Sequence, residues 1–324
     1  MFNLYYIESP LQMLSARSAR DKFSDDPAIL IVNLSAGERL NNDKQILELT
    51  GDVWDFVYVN KKNKSKVRKF FDFIWMNFLF VYKYRGKINK FFLGELRNFD
   101  MVLMGNLLKS KDVVLLDDGS FTITAQTYYI KNGILPYAKS AKYKCFGFLL
   151  KKGLIPNLYS FFNLDSVLLE EQVNYFEPCV KRNVCVDKCC VFFFGSKFSE
   201  GGHVSLADEL NILSFVLDFY HEGTVYYIPH RDESEEKLQL ISHMGYVVKN
   251  LGKPAEVYFD EAQIMPGVVV SCYSTVLYTC YSKFENVALQ SINIEKFILK
   301  PDTRINAEKI YSYYERIGIE VVHI

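Results

Sequence analysis

The sequence predicts an α/β fold built as two Rossmann-like domains, and three observations carry that prediction. The first is length: 324 residues exceed one ordinary domain and suffice for two cores. The second is the alternation of short apolar runs with segments of helical spacing, the pattern of parallel strands joined by helical crossovers. The third is that these apolar runs end in polar residues, and α/β sheets bind their ligands at the carboxyl ends of strands.

The first domain is expected over 1–164. Residues 2–7 read as a buried first strand, Glu8-Ser9-Pro10 as a turn, and Leu11, Leu14 and Ala16 as a helix starting near the proline. Residues 28–33 repeat the apolar run, 43–49 form a short helix and 52–59 another strand. Residues 100–105, with Asn106 at their carboxyl end, and 112–116 are read as the next two strands, the second ending in Asp117-Asp118-Gly119-Ser120 before a helix near Thr122. A looser basic and aromatic stretch follows, to about Asn163.

The second domain is expected over 165–324, beginning with residues 166–169. Residues 189–194 form an apolar strand ending at Gly195-Ser196, 206–220 have helical spacing, 225–228 end at Pro229-His230, and 268–271 end at Tyr273-Ser274-Thr275. A closing helix over 307–314 is expected to cross back to the first domain.

Composition narrows the function. The 38 basic residues balance the 38 acidic ones, so no global field points to nucleic acid. Seven cysteines, an odd number, with an N-terminus that reads as a strand rather than a signal peptide, predict reduced thiols and a cytoplasmic location. Cys185, Cys189 and Cys190 lack a second pair at zinc-ligand spacing and read as buried thiols of a strand. Residues 70–82 are apolar and aromatic but contain Asp72 and Asn77, and fall short of the roughly 20 residues that span a bilayer. The basic run 61–69 before them allows two readings. One is a core helix with a solvated start; the other is a basic amphipathic surface resting peripherally on anionic lipid at the inner face of the cytoplasmic membrane, where a lipid-linked acceptor is presented.

Several strand-end residues can carry chemistry. Of Asp117 and Asp118, neighbours on a corner whose side chains diverge, one is expected to face a site as a proton acceptor while the other braces the turn, although a turn and cap alone would also use them. His230 follows a rigid proline, with Arg231 beside it able to meet phosphate or to pair with Asp232 or Glu233. Ser274 and Thr275 open a helix whose N-H groups and hydroxyls suit one phosphate, or simply cap that helix. Glu256, in a link between strand and helix, suits ribose hydroxyls.

Taken in order, these motifs resemble the bacterial sialyltransferases of glycosyltransferase family 52 and related O-antigen and capsule enzymes. The matching residues are Ser9-Pro10-Leu11-Gln12, Leu116-Asp117-Asp118-Gly119-Ser120, Pro229-His230-Arg231, Pro254-Ala255-Glu256 and Tyr273-Ser274-Thr275; Arg231 departs from the proline usual there. The resemblance implies a GT-B-like pair of domains with the active site in the inter-domain cleft, and inverting, metal-independent transfer of sialic acid from CMP-sialic acid to a glycan hydroxyl without a cofactor. It implies Asp118 as general base, with Glu200 and Asp208 in reserve, and His230 as acid or hydrogen-bond donor to the departing phosphate. It also implies Ser274 and Thr275 as that phosphate's seat, Gly195 and Ser196 beside them, Gln12, Asn106, Asp117 and Gly119 in support, and a homodimer. Another CMP-linked acidic sugar, a UDP-sugar, or a non-catalytic nucleotide- or glycan-binding component of a polysaccharide assembly complex are the alternatives.

Overall fold

The protein, as a computed structural model describing residues 1–35, 40–61, 65–150, 155–178 and 180–324, divides into the units Met1–Glu177 and Pro178–Ile324. Residues 62–64 of the basic run and Cys179 lie outside the described residues.

The first unit runs β1 (Phe2–Ile7), α1 (Pro10–Lys22), β2 (Ala28–Leu34), α2 (Leu40–Thr50), β3 (Phe56–Lys61), α3 (Lys66–Tyr84), β4 (Ile88–Leu93), α4 (Phe99–Leu108), β5 (Asp112–Leu116), α5 (Phe121–Thr124), α6 (Ala141–Phe146) and β6 (Asn157–Tyr159). The parallel sheet has the order β3-β2-β1-β4-β5-β6, so the direction of winding reverses between β1 and β4. β2 is buried along its whole length and β1 nearly so, as strands covered on both faces must be. Across the reversal Tyr5 stacks on Phe92 at 4.2 Å and meets Trp54 edge-on at 5.1 Å. Burial of each such ring contributes about 1.5–3 kcal/mol.

The second unit repeats this winding. It runs β7 (Cys185–Phe194), α7 (Leu206–Phe219), β8 (Thr224–Ile228), α8 (Glu235–His243), β9 (Val247–Val248), α9 (Ala255–Glu261), β10 (Ile264–Ser271), α10 (Thr275–Lys283), β11 (Ala288–Asn293), α11 (Pro301–Ile317) and β12 (Glu320–His323). The order β12-β11-β10-β7-β8-β9 puts the reversal between β7 and β10.

Five expectations are corrected. Residues 100–105 are not a strand but part of α4, capped by Asn98, whose side chain accepts from the N-H groups of Asp100 and Met101. That helix is buried nearly all round, so its apolar run carries no period to separate it from a strand. The strand next to β1 is instead β4, and Gly105 lets α4 approach it, since a Cβ there would come within 2.8 Å of the Phe91 ring.

The first unit ends at Glu177 rather than at 164, because residues 172–176 are stitched onto β6. Val173 accepts from Leu158 N-H at 2.9 Å, and Tyr175 N-H donates to Leu158 at 2.8 Å. Residues 165–167 are accordingly a 3-10 turn of this unit and not the first strand of the next.

The cysteine cluster lies on a strand but is not buried: Cys185 and Cys189 are exposed and Cys190 is half-buried. β7 extends beyond β8 at this end, since their pairing begins only at Cys190.

The closing helix is longer than expected and packs within the second unit. Tyr311 donates to Ile292 O at 2.9 Å, and β12 follows as the edge strand. Finally, α3 is no core helix. Among its described side chains only Phe73, Asn77, Phe80 and Tyr84 are buried, while Val67, Phe70, Phe71, Ile74, Trp75, Phe78, Leu79 and Tyr82 are exposed.

Candidate active site

In the first unit, the loops after β1, β4 and β5 converge where the winding reverses, the place at which doubly wound sheets hold ligands. Ser9 caps α1 and Pro10 starts it, which sets Gln12 in the first turn. Gln12 is buried; its carbonyl accepts from Glu8 N-H at 2.8 Å and its amide donates to Asp118 Oδ1 at 2.7 Å. Gly94 at the end of β4 must be glycine, because a Cβ would sit 2.6 Å from Gln12 Oε1 and 2.7 Å from Tyr6 O.

Two residues further along the same turn, unread in the sequence because β4 was unread, complete the cluster. Arg97 donates to Glu95 at 2.5 Å and to Asp118 Oδ2 at 3.0 Å, and its guanidinium lies over the Phe121 ring at 3.7 Å. A short apolar run closed by glycine, Phe91-Phe92-Leu93-Gly94, was the available signal, the same punctuation as Phe194-Gly195.

The two aspartates have separate sets of partners. Asp117 is buried and faces inward, accepting from Ser160 O-H at 2.6 Å and Phe161 N-H at 2.8 Å. Burial pushes its carboxyl up to about 7. Asp118 turns instead to Gln12 and Arg97, its N-H donates to Thr122 Oγ1 at 2.9 Å, and Gly119 after it takes a left-handed φ of 63°. Burial, and then the Glu95 carboxylate beside it, holds the Asp118 carboxyl well above the usual carboxylate range. Glu95 goes the other way: burial opposes its charge, but Arg97 holds it below its ordinary value. A half-buried carboxyl held high beside an ionised one is suited to proton transfer.

In the second unit the ends of β7, β8 and β10, three adjacent strands, bring Gly195-Ser196, Pro229-His230-Arg231 and Ser274-Thr275 to one edge of the sheet. Gly195 donates to Ile228 O at 2.9 Å, and a Cβ there would fall inside the Tyr227 hydroxyl. Beneath it lies a charge network that sequence reasoning missed. Lys237, 3% exposed, donates to Glu209 at 2.6 Å, Glu200 at 3.1 Å and Ser196 O at 3.0 Å, and lies 3.4 Å from Glu233. Glu233 accepts from His230 N-H at 2.7 Å and Tyr227 O-H at 2.8 Å, so one buried cation ties the Ser196 turn to the His230 turn. Burial pushes Glu233 up to about 7 although Lys237 pulls the other way. Nothing in the spacing of the sequence marks Glu233 and Lys237 as a buried pair.

Asp232 N-H donates to His230 Nδ1 at 3.2 Å, which leaves the ring proton on Nε2. Ser274 is the N-cap of α10, its hydroxyl accepting from Val276 N-H at 3.4 Å, and Tyr314 of α11 donates to the Ser274 carbonyl at 2.7 Å. Glu256 is in the first turn of α9 rather than in a link; burial raises its carboxyl, while Lys283 and then Arg231 draw it down, which places Arg231 within its electrostatic reach.

Three expected residues are engaged elsewhere. Asn106 lies on α4 and donates to Leu149 O at 2.7 Å, away from any strand end. Glu200 accepts from Ser234 N-H at 3.1 Å as well as from Lys237, and Asp208 accepts from Ser205 O-H at 2.6 Å in the cap of α7. Both reserve carboxylates are braces of the second unit. Among the described residues no group of three or more His, Cys, Asp or Glu side chains is placed to hold a metal ion, and no helix is long and apolar enough to cross a membrane.

No protein family and no curated protein matches the sequence. Solved structures do match in fold. UDP-GlcNAc 2-epimerase from Neisseria meningitidis, bound to UDP-GlcNAc, is similar with a TM-score of 0.53 and 10% identity, over 99% of this chain and 95% of that one. LpCGTa in complex with UDP gives 0.52 and 11%, over 99% and 84%. MurG from Acinetobacter baumannii gives 0.50 and 7%, over 100% and 86%. With two parallel six-stranded sheets wound in the same order, the chain has the GT-B fold.

Proposed function

We propose that the chain is an inverting glycosyltransferase that moves sialic acid from CMP-sialic acid to a hydroxyl of a bacterial surface glycan. The observation that carries this reading is the convergence of three separated motifs, Gly195-Ser196, His230 and Ser274-Thr275, on the carboxyl edge of three adjacent strands. The nucleotide and the sugar rest on the resemblance of these motifs to the sialyltransferases. The GT-B fold supports a nucleotide-sugar donor in general terms.

On this reading each group has one role in the reaction. The Asp118 carboxylate takes the proton of the acceptor hydroxyl as its oxygen attacks the anomeric carbon. The bond from that carbon to the phosphate oxygen breaks, and CMP leaves as a phosphate monoester. The Ser274 and Thr275 hydroxyls, the N-terminus of α10 and the Nε2-H of His230 are the donors that stabilise its charge. Glu256 accepts from ribose, and Arg231 adds a cation beside it. These donors neutralise the phosphate without a divalent ion, so transfer is expected to proceed undiminished in EDTA.

Calorimetry with CMP tests the donor site. Binding is expected with the purified chain and is expected to weaken by about tenfold or more in His230→Ala, as when a charge-assisted hydrogen bond is lost. UDP binding in place of CMP would move the donor to a UDP-sugar, and no nucleotide binding at all would sink the transferase reading.

A pH profile tests the base. Because the carboxyl of Asp118 is raised, transfer is expected to climb with pH through a limb above the ordinary carboxylate range. Glu95→Gln removes the neighbouring negative charge and is expected to shift that limb to lower pH. A limb that stays in place in this variant would detach Glu95 from the base.

A further inference from the structure

We propose that α3 is a membrane-docking helix that lies flat on an anionic lipid surface. The proposal does not depend on the identity of the donor. α3 has two apolar faces where a surface helix of a globular protein needs one. At about 100° per residue, Phe73, Asn77, Phe80 and Tyr84 share the face that is buried against the unit. Val67, Phe71, Ile74, Trp75, Phe78 and Tyr82 form a second stripe on the far side, all exposed, Trp75 at 65% and Tyr82 at 83%. The exposed rings already touch one another, Trp75 to Phe78 at 6.1 Å and Phe78 to Tyr82 at 6.3 Å. Beside the first turns of α3, Phe146 packs on Phe70 at 6.0 Å, and two residues on Phe148 is 81% exposed.

Charge selects the occupant. Residues 61–87 contain nine Lys or Arg and one acid, Asp72, in a chain whose total is neutral. Arg68 and Lys69 open α3, where the helix dipole disfavours cations and no acidic residue offsets them. Lys83, Arg85 and Lys87 stand at its other end. A second copy laid along this stripe would meet basic residues with basic residues in either direction, which disfavours self-association. An apolar aromatic stripe with cations at both ends fits acyl chains below and anionic headgroups around it. Because the opposite face is anchored to the unit, the helix lies in the interface and does not span.

The chain carries its own reporter, since Trp54 is 8% exposed and Trp75 is the other of its two tryptophans. Full-length protein is mixed with vesicles of phosphatidylcholine alone, or of phosphatidylcholine with phosphatidylglycerol. The expected result is sedimentation with the mixed vesicles, weakened by high salt, together with a blue shift of tryptophan emission. Trp75→Glu with Phe78→Glu is expected to lower vesicle affinity by about tenfold or more. Its melting temperature should stay that of the parent, because both side chains are exposed. Arg68→Glu with Lys69→Glu, which leaves Trp75 in place, is expected to lower affinity and abolish the preference for phosphatidylglycerol. No sedimentation with either vesicle, or unchanged sedimentation of both variants, would overturn the proposal. So would light scattering that shows a dimer lost in Trp75→Glu with Phe78→Glu while vesicles bind neither protein.

Discussion

Asp118→Asn is expected to slow transfer by about 10²–10⁴-fold, the usual contribution of a positioned general base. Asparagine keeps the size of the side chain and an oxygen for the Gln12 amide, which donates to Asp118 at 2.7 Å, so the fold of the first unit should survive. CMP affinity should be unchanged, because every residue proposed to hold the nucleotide belongs to the second unit. Circular dichroism, calorimetry with CMP and donor-dependent CMP release together separate these outcomes. Full turnover in the variant would remove Asp118 as the base and turn attention to Glu95, the carboxylate that shares Arg97 with it.

Lys237→Met is expected to destabilise the protein by about 3–5 kcal/mol, the usual cost of removing one partner from a buried ion pair. Glu209 and Glu233 would be left buried without their cation, and Glu200 would lose its partner. Denaturant unfolding measures the loss, and its pH dependence has a definite sign. A carboxyl raised in the folded state favours folding fully below its ordinary range and loses that contribution as pH rises through the raised value, about 7 for Glu233. Without Lys237 that value rises further, so the deficit should be largest above neutrality and shrink toward acid pH. A loss below about 1 kcal/mol at pH 8 would mean that Lys237 behaves as a surface ion pair. CMP affinity should also fall, since Lys237 ties Ser196 to the turn that carries His230.

The strands that punctuate themselves were legible in the sequence. Val225 to Ile228 before Pro229, and the run ending at Gly195, carry their own stop signals, and the motifs behind them fell where the topology needs them. α4 was not legible, because a helix buried on nearly every side has no polar face to reveal its period. Misplacing it hid β4, and with β4 went Glu95 and Arg97, half of the Asp118 cluster. Lys237 escaped for a different reason. Its neighbours Glu235 and Glu236 make the start of α8 look solvated, and its burial depends on Glu209, which is 28 residues away on another helix. The exposed stripe of α3 was half legible: its composition fits a core, and only the buried positions of its neighbours show which face is already taken.

The hydroxyl of Tyr314 on the Ser274 carbonyl has a bearing on the order in which the protein becomes competent during synthesis. Domains form as their last stitches leave the ribosome. Asp118 is bonded by Gln12, Arg97 and Thr122, and its unit is complete by Glu177. The turn proposed for the donor phosphate is different, because it is bonded by a residue of a helix that begins at Pro301. A nascent chain would hold the finished Asp118 cluster for nearly half of its synthesis before the proposed donor turn was complete. Nicking or shortening the chain ahead of Tyr314 should therefore leave the first unit folded and silence the second.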